Sequence, residues 1–354
     1  MNDQSPVLAW QSSIARGLAT HCSKVVVLSE VVGQFRSAPN MAVAQLEYSP
    51  EVARALYNVD SLRSTPHFKL LESSKIDLCF VHMAHKWAYR LFPIFYLLNI
   101  PVLLWYAHGT VTPHLRRALR AVDRVVTSTA EGFRIPTPKL HLIGQGINTE
   151  LFKIPKQLSA PNEIIYIGRL SRRKRIHLLL ETLRHLHDRG ERDLKLVLVG
   201  PLLSSDDTLY KAEVDAQIQR LGLTDAVSYR GSQPQETHPA LYQNALVHLS
   251  FSETGSMDKT LLEALACGCP VMTSNVALAE ILAAVPGSYL ANAAPVEAAE
   301  RIQQLRRTAS RPSPEFLRSL IVGKHDEQHY VQELLRHLKD LYGRYTPGHG
   351  YLSA

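Results

Sequence analysis

Much that would assign this chain quickly is missing from it. Its 354 residues hold four cysteines, Cys22, Cys79, Cys267 and Cys269, and none has metal-ligand spacing. Cys267 and Cys269 stand one residue apart, too close for an ordinary disulfide, so all four are expected reduced in a cytoplasmic protein. No GxGxxG turn occurs, which removes the ordinary dinucleotide fingerprint. The opening MNDQSPVLAW has no basic stretch leading into an apolar one, so no secretory signal is expected. The longest apolar run, LFPIFYLLNIPVLLWYA (91–107), is broken by Pro93, Asn99 and Pro101. It reads as a buried helix followed by a buried strand rather than a membrane span.

Acidic excess is absent too. Lys and Arg number 39 against 32 Asp and Glu, a net charge of +7. A basic surface suits nucleotides, anionic lipid or nucleic acid without choosing among them. Nucleic acid is the poorest fit, because the cations cluster at one turn and are not interleaved with aromatics. Hydrophobic content of 45% and charged content of 20% are globular values. The length favours two domains over a single core.

Helical and strand patterns alternate along the chain, which implies an α/β fold with parallel sheets covered by helices on both faces. The first series contains KVVVLSE (24–30), KIDLCFVHMA (75–84), a helix over 89–98, PVLLWYA (101–107), DRVVTST and KLHLIGQGI. A helix precedes the first strand, so the first domain is expected to lack its initial strand. LFKIPKQLSAPN (151–162) reads as a linker. The second series holds EIIYIGRL, a helix at 176–189, LKLVLVG, a helix at 207–221, AVSYRG, a helix at 236–244, LVHLSF and a strand at 271–274. The expected division is residues 1–152 as a first domain and 153–325 as a second. Residues 326–354 would be a last helix and tail. Two facing doubly wound domains would place ligands at the carboxyl ends of their strands.

In IIYIGRLSRRKRIHLLLETL (164–183) an apolar strand ends at Gly168. Arg169, Arg172, Arg173, Lys174 and Arg175 then crowd the turn before a helix. An anion at that helix start would relieve their repulsion, and a solvated basic loop is the alternative. In SETGSMDKTLLEALACGCPV (252–271), Gly255 permits an unusual backbone angle, and Ser256 or Asp258 is a candidate helix cap. Lys259 and Thr260 open the helix. Glu263 lies among apolar neighbours; as a buried carboxylate it needs donors, and sugar hydroxyls would serve.

Together, GRLSRRK and, about ninety residues on, LLEALACGCPV resemble the retaining glycosyltransferases of family 4. These are two-domain GT-B-type enzymes that use nucleotide sugars. LWYAHGTV (104–111), residues 123–152 and LVLVGP (196–201) fit as well. The resemblance implies that Arg169 and Lys174 hold the donor diphosphate and that Glu263, as second carboxylate of a Glu-x7-Glu motif, binds the ribose. It places His108 near the transferred sugar. Gly168, Gly255, Ser256, Asp258, Lys259 and Thr260 complete the implied donor site, with no metal and no cofactor beyond the donor itself. A glycan or lipid-linked acceptor is implied. HLRRALRA (114–121) reads first as a solvated helix face, and second, for a lipid-linked acceptor, as a peripheral contact to the inner face of an anionic membrane.

The chain also departs from the pattern. Gly255 stands where the first glutamate belongs, Glu253 is two residues too early, and Arg175 replaces a glycine. These departures motivate a second reading, a nucleotide-binding relative without transfer activity.

Overall fold

The structure is a computed structural model that describes residues 9–46, 49–55, 58–155, 162–252, 255–307 and 311–345. The chain divides into two compact units, Met1–Gly144 with Gln328–Ala354, and Gln145–Glu327.

In the first unit, α1 (Ala9–Ala19) precedes β1 (Val25–Ser29) and β2 (Met41–Gln45), a parallel pair. Three short helices follow, α2 (Pro50–Ala55), α3 (Val59–Ser64) and α4 (Pro66–Ser73). Asn58 and Thr65 cap the last two through their side-chain oxygens. A four-stranded parallel sheet in the order β3-β4-β5-β6 comes next. It is built from β3 (Cys79–His82), β4 (Val102–Trp105), β5 (Arg124–Thr127) and β6 (Leu140–Leu142). Between β3 and β4 lie α5 (His85–Arg90) and α6 (Phe92–Leu97), and α7 (Pro113–Ala121) joins β4 to β5.

The single helix expected over 89–98 is thus two. Pro93 has no N–H for a bond to the carbonyl of Tyr89, and its ring would clash there, so α5 stops and α6 restarts with Pro93 in its first turn. Nor is the segment wholly buried, since Phe92, Tyr96 and Leu97 are exposed. The strands of this unit fall into two sheets.

The second unit runs β7 (Glu163–Ile167), α8 (Ile176–Asp188), β8 (Lys195–Val199), α9 (Ser205–Arg220), β9 (Val227–Tyr229), α10 (His238–Gln243), β10 (Ala245–Ser250), α11 (Lys259–Ala266) and β11 (Val271–Thr273). Then come α12 (Ala279–Leu282), α13 (Pro295–Arg307) and α14 (Pro314–Ser319). Its parallel sheet has the order β11-β10-β7-β8-β9. Connections leave β7 in one direction toward β9 and β10 in the other toward β11, so the chain reverses between β7 and β10. Their carboxyl ends flank a crevice, the usual ligand position in such sheets.

The units divide at Gly144/Gln145 rather than at 152. Ile147 bridges to Asp326, and Phe152 is buried with Leu261 and Leu265 in the core of the second unit. Arg318 ties the same stretch down through the carbonyls of Thr149, Phe152 and Ala266. Of the expected linker, residues 156–161 lie outside the described residues. The last helix, α15 (Glu327–Tyr345), is no separate appendage. Its Tyr330, Leu334 and Leu338 pack with Ile14 of α1 and with Leu103, Trp105 and Val126 of the first unit's sheet. Val102, Leu104 and Val125 face the opposite side of that sheet, because side chains alternate along a strand. No described helix is long and apolar enough to cross a membrane.

Candidate functional site

The second unit gathers its chemistry after the carboxyl ends of its five strands. Gly168 follows β7 and lies so close to Gly200 after β8 that a Cβ on Gly200 would meet the Gly168 carbonyl oxygen at 1.9 Å. Only glycine fits there. Arg169 comes next, with its backbone carbonyl accepting from the Tyr166 hydroxyl at 3.0 Å. Its guanidinium makes a fork onto Asp207, Nε to Oδ2 at 2.7 Å and Nη2 to Oδ1 at 3.0 Å, and also donates to Ser204 at 3.1 Å.

Asp207 is buried in the first turn of α9. Burial acts to raise its carboxyl, but donors from Arg169, the Leu203 N–H and Ser204 together hold it below the ordinary range. Arg172 forks in the same way onto Glu213, at 2.6 and 2.7 Å, and lies over the Tyr210 ring. Three of the crowded cations, Arg169, Arg172 and Lys174, are therefore met by carboxylates on α9 and by Asp258. Anion binding is not needed to explain how this turn folds.

Lys174 sits in a single 3₁₀ turn, Arg172–Lys174, and donates to Asp258 Oδ1 at 2.6 Å and to the Ser252 hydroxyl at 3.1 Å. Arg175 then takes a left-handed conformation, φ 51°, before α8 begins. That is why a glycine is the usual occupant of such a position. Gly255 also has positive φ, 65°. Asp258 occupies the N-cap position of α11, yet its side chain makes no capping bond. It serves Lys174, and its second oxygen receives Asn275 Nδ2 at 3.3 Å. Asn275, buried after β11, also holds the Ser256 carbonyl at 2.8 Å and so ties Ser256 and Asp258 together. Thr260 lies in the first turn of that helix. Glu253 lies outside the described residues.

Glu263 is 3% exposed. Gln235 Nε2 donates to Oε1 at 2.8 Å, and the Tyr242 hydroxyl to Oε2 at 3.2 Å. His238 Nδ1 is 3.7 Å from Oε2. The donors that sequence reasoning sought outside the protein are thus present within it, on α10 and the turn before it. Lys259 is half-buried. Desolvation pushes its ammonium well below the ordinary lysine range, with Glu263 and Glu327 opposing the shift. His248, in the middle of β10, is fully buried and accepts the Ile167 N–H at Nε2, 3.3 Å. Burial pushes its pKa down to about 3, so it stays neutral and stacks on Tyr242 with centroids 5.6 Å apart.

In the first unit, His108 is half-buried after β4. Its N–H donates to the Gly132 carbonyl at 2.8 Å, and its Nδ1 accepts from the Thr110 N–H at 3.1 Å. That ring nitrogen has a structural task. His82 stacks on Trp105 with centroids 4.8 Å apart, and His85 bonds the Met83 carbonyl.

Sequence reasoning missed Asp207, Gln235, His238, Tyr242, His248, Ser252 and Asn275. Most of them follow, or lie in helices that follow, the carboxyl ends of β8, β9, β10 and β11. The polar punctuation of GSQPQETH was the available signal.

The α/β architecture with parallel, Rossmann-like sheets matches solved GT-B glycosyltransferase structures. HepE of Anabaena in complex with UDP and glucose superposes with a TM-score of 0.75 at 16% identity, covering 96% of this chain and 98% of that one. Sucrose-phosphate synthase of Thermosynechococcus elongatus gives a TM-score of 0.72 at 16% identity, covering 95% and 93%. At such identities the likeness is one of fold.

More particularly, residues 148–309, a little under half of the chain, match the family model of glycosyl transferases group 1. The 2-deoxystreptamine glucosyltransferase of Streptomyces kanamyceticus is 28% identical over 170 residues, 47% of this chain and 42% of that protein. The putative colanic acid biosynthesis glycosyltransferase WcaL of Escherichia coli K12 is 28% identical over 149 residues, 39% and 34% of the two chains. The chain spans less than half the length of either relative.

Proposed function

We propose that this chain is a retaining, family 4 glycosyltransferase that moves a hexose from a nucleotide-diphosphate donor to a glycan or lipid-linked acceptor. Its setting would be cell-surface polysaccharide or glycoconjugate synthesis on the cytoplasmic side. The observation that carries the reading is the convergence of Lys174, Asp258 and the Glu263-bearing helix α11 at the β7/β10 reversal. The group 1 match and the UDP complex of HepE point the same way.

In this reading Arg169 and Lys174 meet the donor diphosphate and offset the charge that develops as it leaves. Asp207 holds the Arg169 fork in a fixed orientation, so little reorganisation is needed when the anion arrives. Asp258 shares Lys174 with the phosphate, and the first-turn N–H groups of α11, to which the Asp258 side chain does not bond, face the same loop. Glu263 grips the ribose hydroxyls with lone pairs that Gln235 and Tyr242 leave over, each carboxylate oxygen being able to accept twice. His108 contacts the sugar or the acceptor. No cofactor and no metal take part.

The test is turnover. The chain is incubated with UDP-, GDP- and ADP-sugars and an acceptor extract, and both nucleoside diphosphate release and anomeric configuration are followed. One donor should be consumed with retention. Tight nucleotide binding with no release or transfer would favour the binding-only relative.

A further inference from the structure

Glu263 has a third neighbour to which the donor reading gives no task. Gln235 and Tyr242 donate to it, one to each oxygen, while His238 Nδ1 stands 3.7 Å from Oε2. That is too long for a hydrogen bond and short enough for two charges to attract. His238 and Tyr242 are four positions apart on α10, so both reach Glu263 on α11 from one helix face. Their rings meet edge to face, with centroids 6.4 Å apart. The His238 and Glu263 side chains are 12% and 4% exposed. Nδ1 itself is buried and makes no hydrogen bond among the described residues. A ring nitrogen beside a buried carboxylate, and not bonded to it, is a donor held in reserve.

The other charged or titratable groups around this pair are neutral or engaged elsewhere. On α11, burial pushes the Lys259 ammonium well below its ordinary range, against Glu263 and Glu327, and pushes the Cys267 thiol up. On β10, His248 stays neutral. Burial first, and then Glu263, holds the Tyr242 hydroxyl well above the ordinary range, so it remains a donor. Glu236, in the turn before α10, is exposed. Lys153, whose carbonyl accepts from Gln243 of α10, pairs with Glu150 at 2.9 Å. Arg318 of α14 donates to three backbone carbonyls. Histidine is the residue type whose charge changes between about pH 5 and 8.

We propose that His238 is a positioning residue whose protonation governs how many hydroxyls Glu263 can hold. The proposal rests on the ribose reading given above. A carboxylate offers two lone pairs on each oxygen. Gln235 takes one on Oε1 and Tyr242 one on Oε2, which leaves one on each oxygen for two vicinal hydroxyls. Neutral His238 leaves that arrangement intact. A charged donor bonds a carboxylate about twice as strongly as a neutral one. The imidazolium therefore closes the gap, donates Nδ1–H to Oε2 and displaces one hydroxyl. Proton and nucleotide compete at Glu263, so the ribose contribution is complete when His238 is neutral and is reduced when it is charged.

The test titrates UDP, GDP and ADP into the full chain and takes the one that binds tightest. Its affinity is divided by that of its 2′,3′-dideoxy form, a ratio in which titration of the phosphate cancels. In the parent this ratio should fall about tenfold between about pH 8 and about pH 5.5, the loss of one hydrogen bond to a charged group. His238→Leu cannot donate and should keep the high ratio at both values. His238→Arg, a permanent cation, should give the low ratio at both. Circular dichroism at each pH checks the fold. Equal affinity of the two nucleotides at the higher pH, or no binding of any of the three, overturns the ribose reading and this inference with it. A higher affinity for the ribonucleotide, with a ratio that does not fall in the parent or falls equally in His238→Leu, overturns this inference alone.

Discussion

Lys174 and Asp258 form a 2.6 Å ion pair that joins the loop after β7 to the loop after β10. Both side chains are largely buried, at 16% and 13% exposure. Asp258 gives up the capping of α11 for this contact. In the family that the sequence resembles, a glutamate would stand where Gly255 is. Here Asp258, three positions later in that loop, brings a carboxylate to face a cation.

Removing one member of a largely buried pair leaves the other without its countercharge. Asp258→Ala should therefore lower stability by about 2 kcal/mol, read by chemical denaturation. A nucleoside diphosphate should recover part of that loss by supplying negative charge to Lys174, visible as a larger ligand-induced rise in Tm than in the parent.

Tyr242 and Gln235 both donate to Glu263. Tyr242→Phe should cost about 2 kcal/mol of stability, because it deletes a hydrogen bond to a buried carboxylate. Gln235→Ala should weaken binding of the free nucleoside and of the diphosphate by a similar factor. Competition titrations with both ligands would check it; a loss confined to the diphosphate would contradict the ribose assignment.

The first unit carries a pH dependence of its own. Arg124, buried in β5, donates to His337 Nδ1 at 3.0 Å and forms an ion pair with Asp340 on α15. Burial first, then the charges of Arg336 and Arg124 and the neighbouring His141, push His337 down to about 4. Its folded pKa is below the unfolded value of about 6.5. The stability it allows is thus complete above the unfolded value and is lost as pH falls toward about 4. Melting curves should show Tm falling through that window in the parent, with a flatter course in His337→Gln.

The strands were legible because each is a short β-branched or leucine-rich run between punctuating residues. KVVVLSE and LKLVLVG contain the observed strands β1 and β8, and LVHLSF covers β10 except for its first residue, Ala245. Residues 31–74 went unread. Their strand β2 and helices α2–α4 are short, and α2 has no buried residue, so little hydrophobic periodicity marks it. Within the site, Arg169, Lys174 and Glu263 were visible as residue types out of keeping with their surroundings. Asp207, Gln235 and Asn275 were not, because each looks like an ordinary turn or helix-start residue until the sheet brings five strand ends together. Charge density showed the cations but not their internal partners, since Asp207 and Glu213, which pair with Arg169 and Arg172, lie on α9, more than thirty residues further along the chain.

The most direct measurement compares nucleoside diphosphate with nucleoside affinity by calorimetry in the parent, Arg169→Ala and Lys174→Ala. Loss of a charge-assisted phosphate contact of about 1.5–3 kcal/mol predicts roughly 10- to 100-fold weaker diphosphate binding, with nucleoside affinity unchanged. Unchanged diphosphate affinity in both variants would contradict the assignment of this crevice as the donor site.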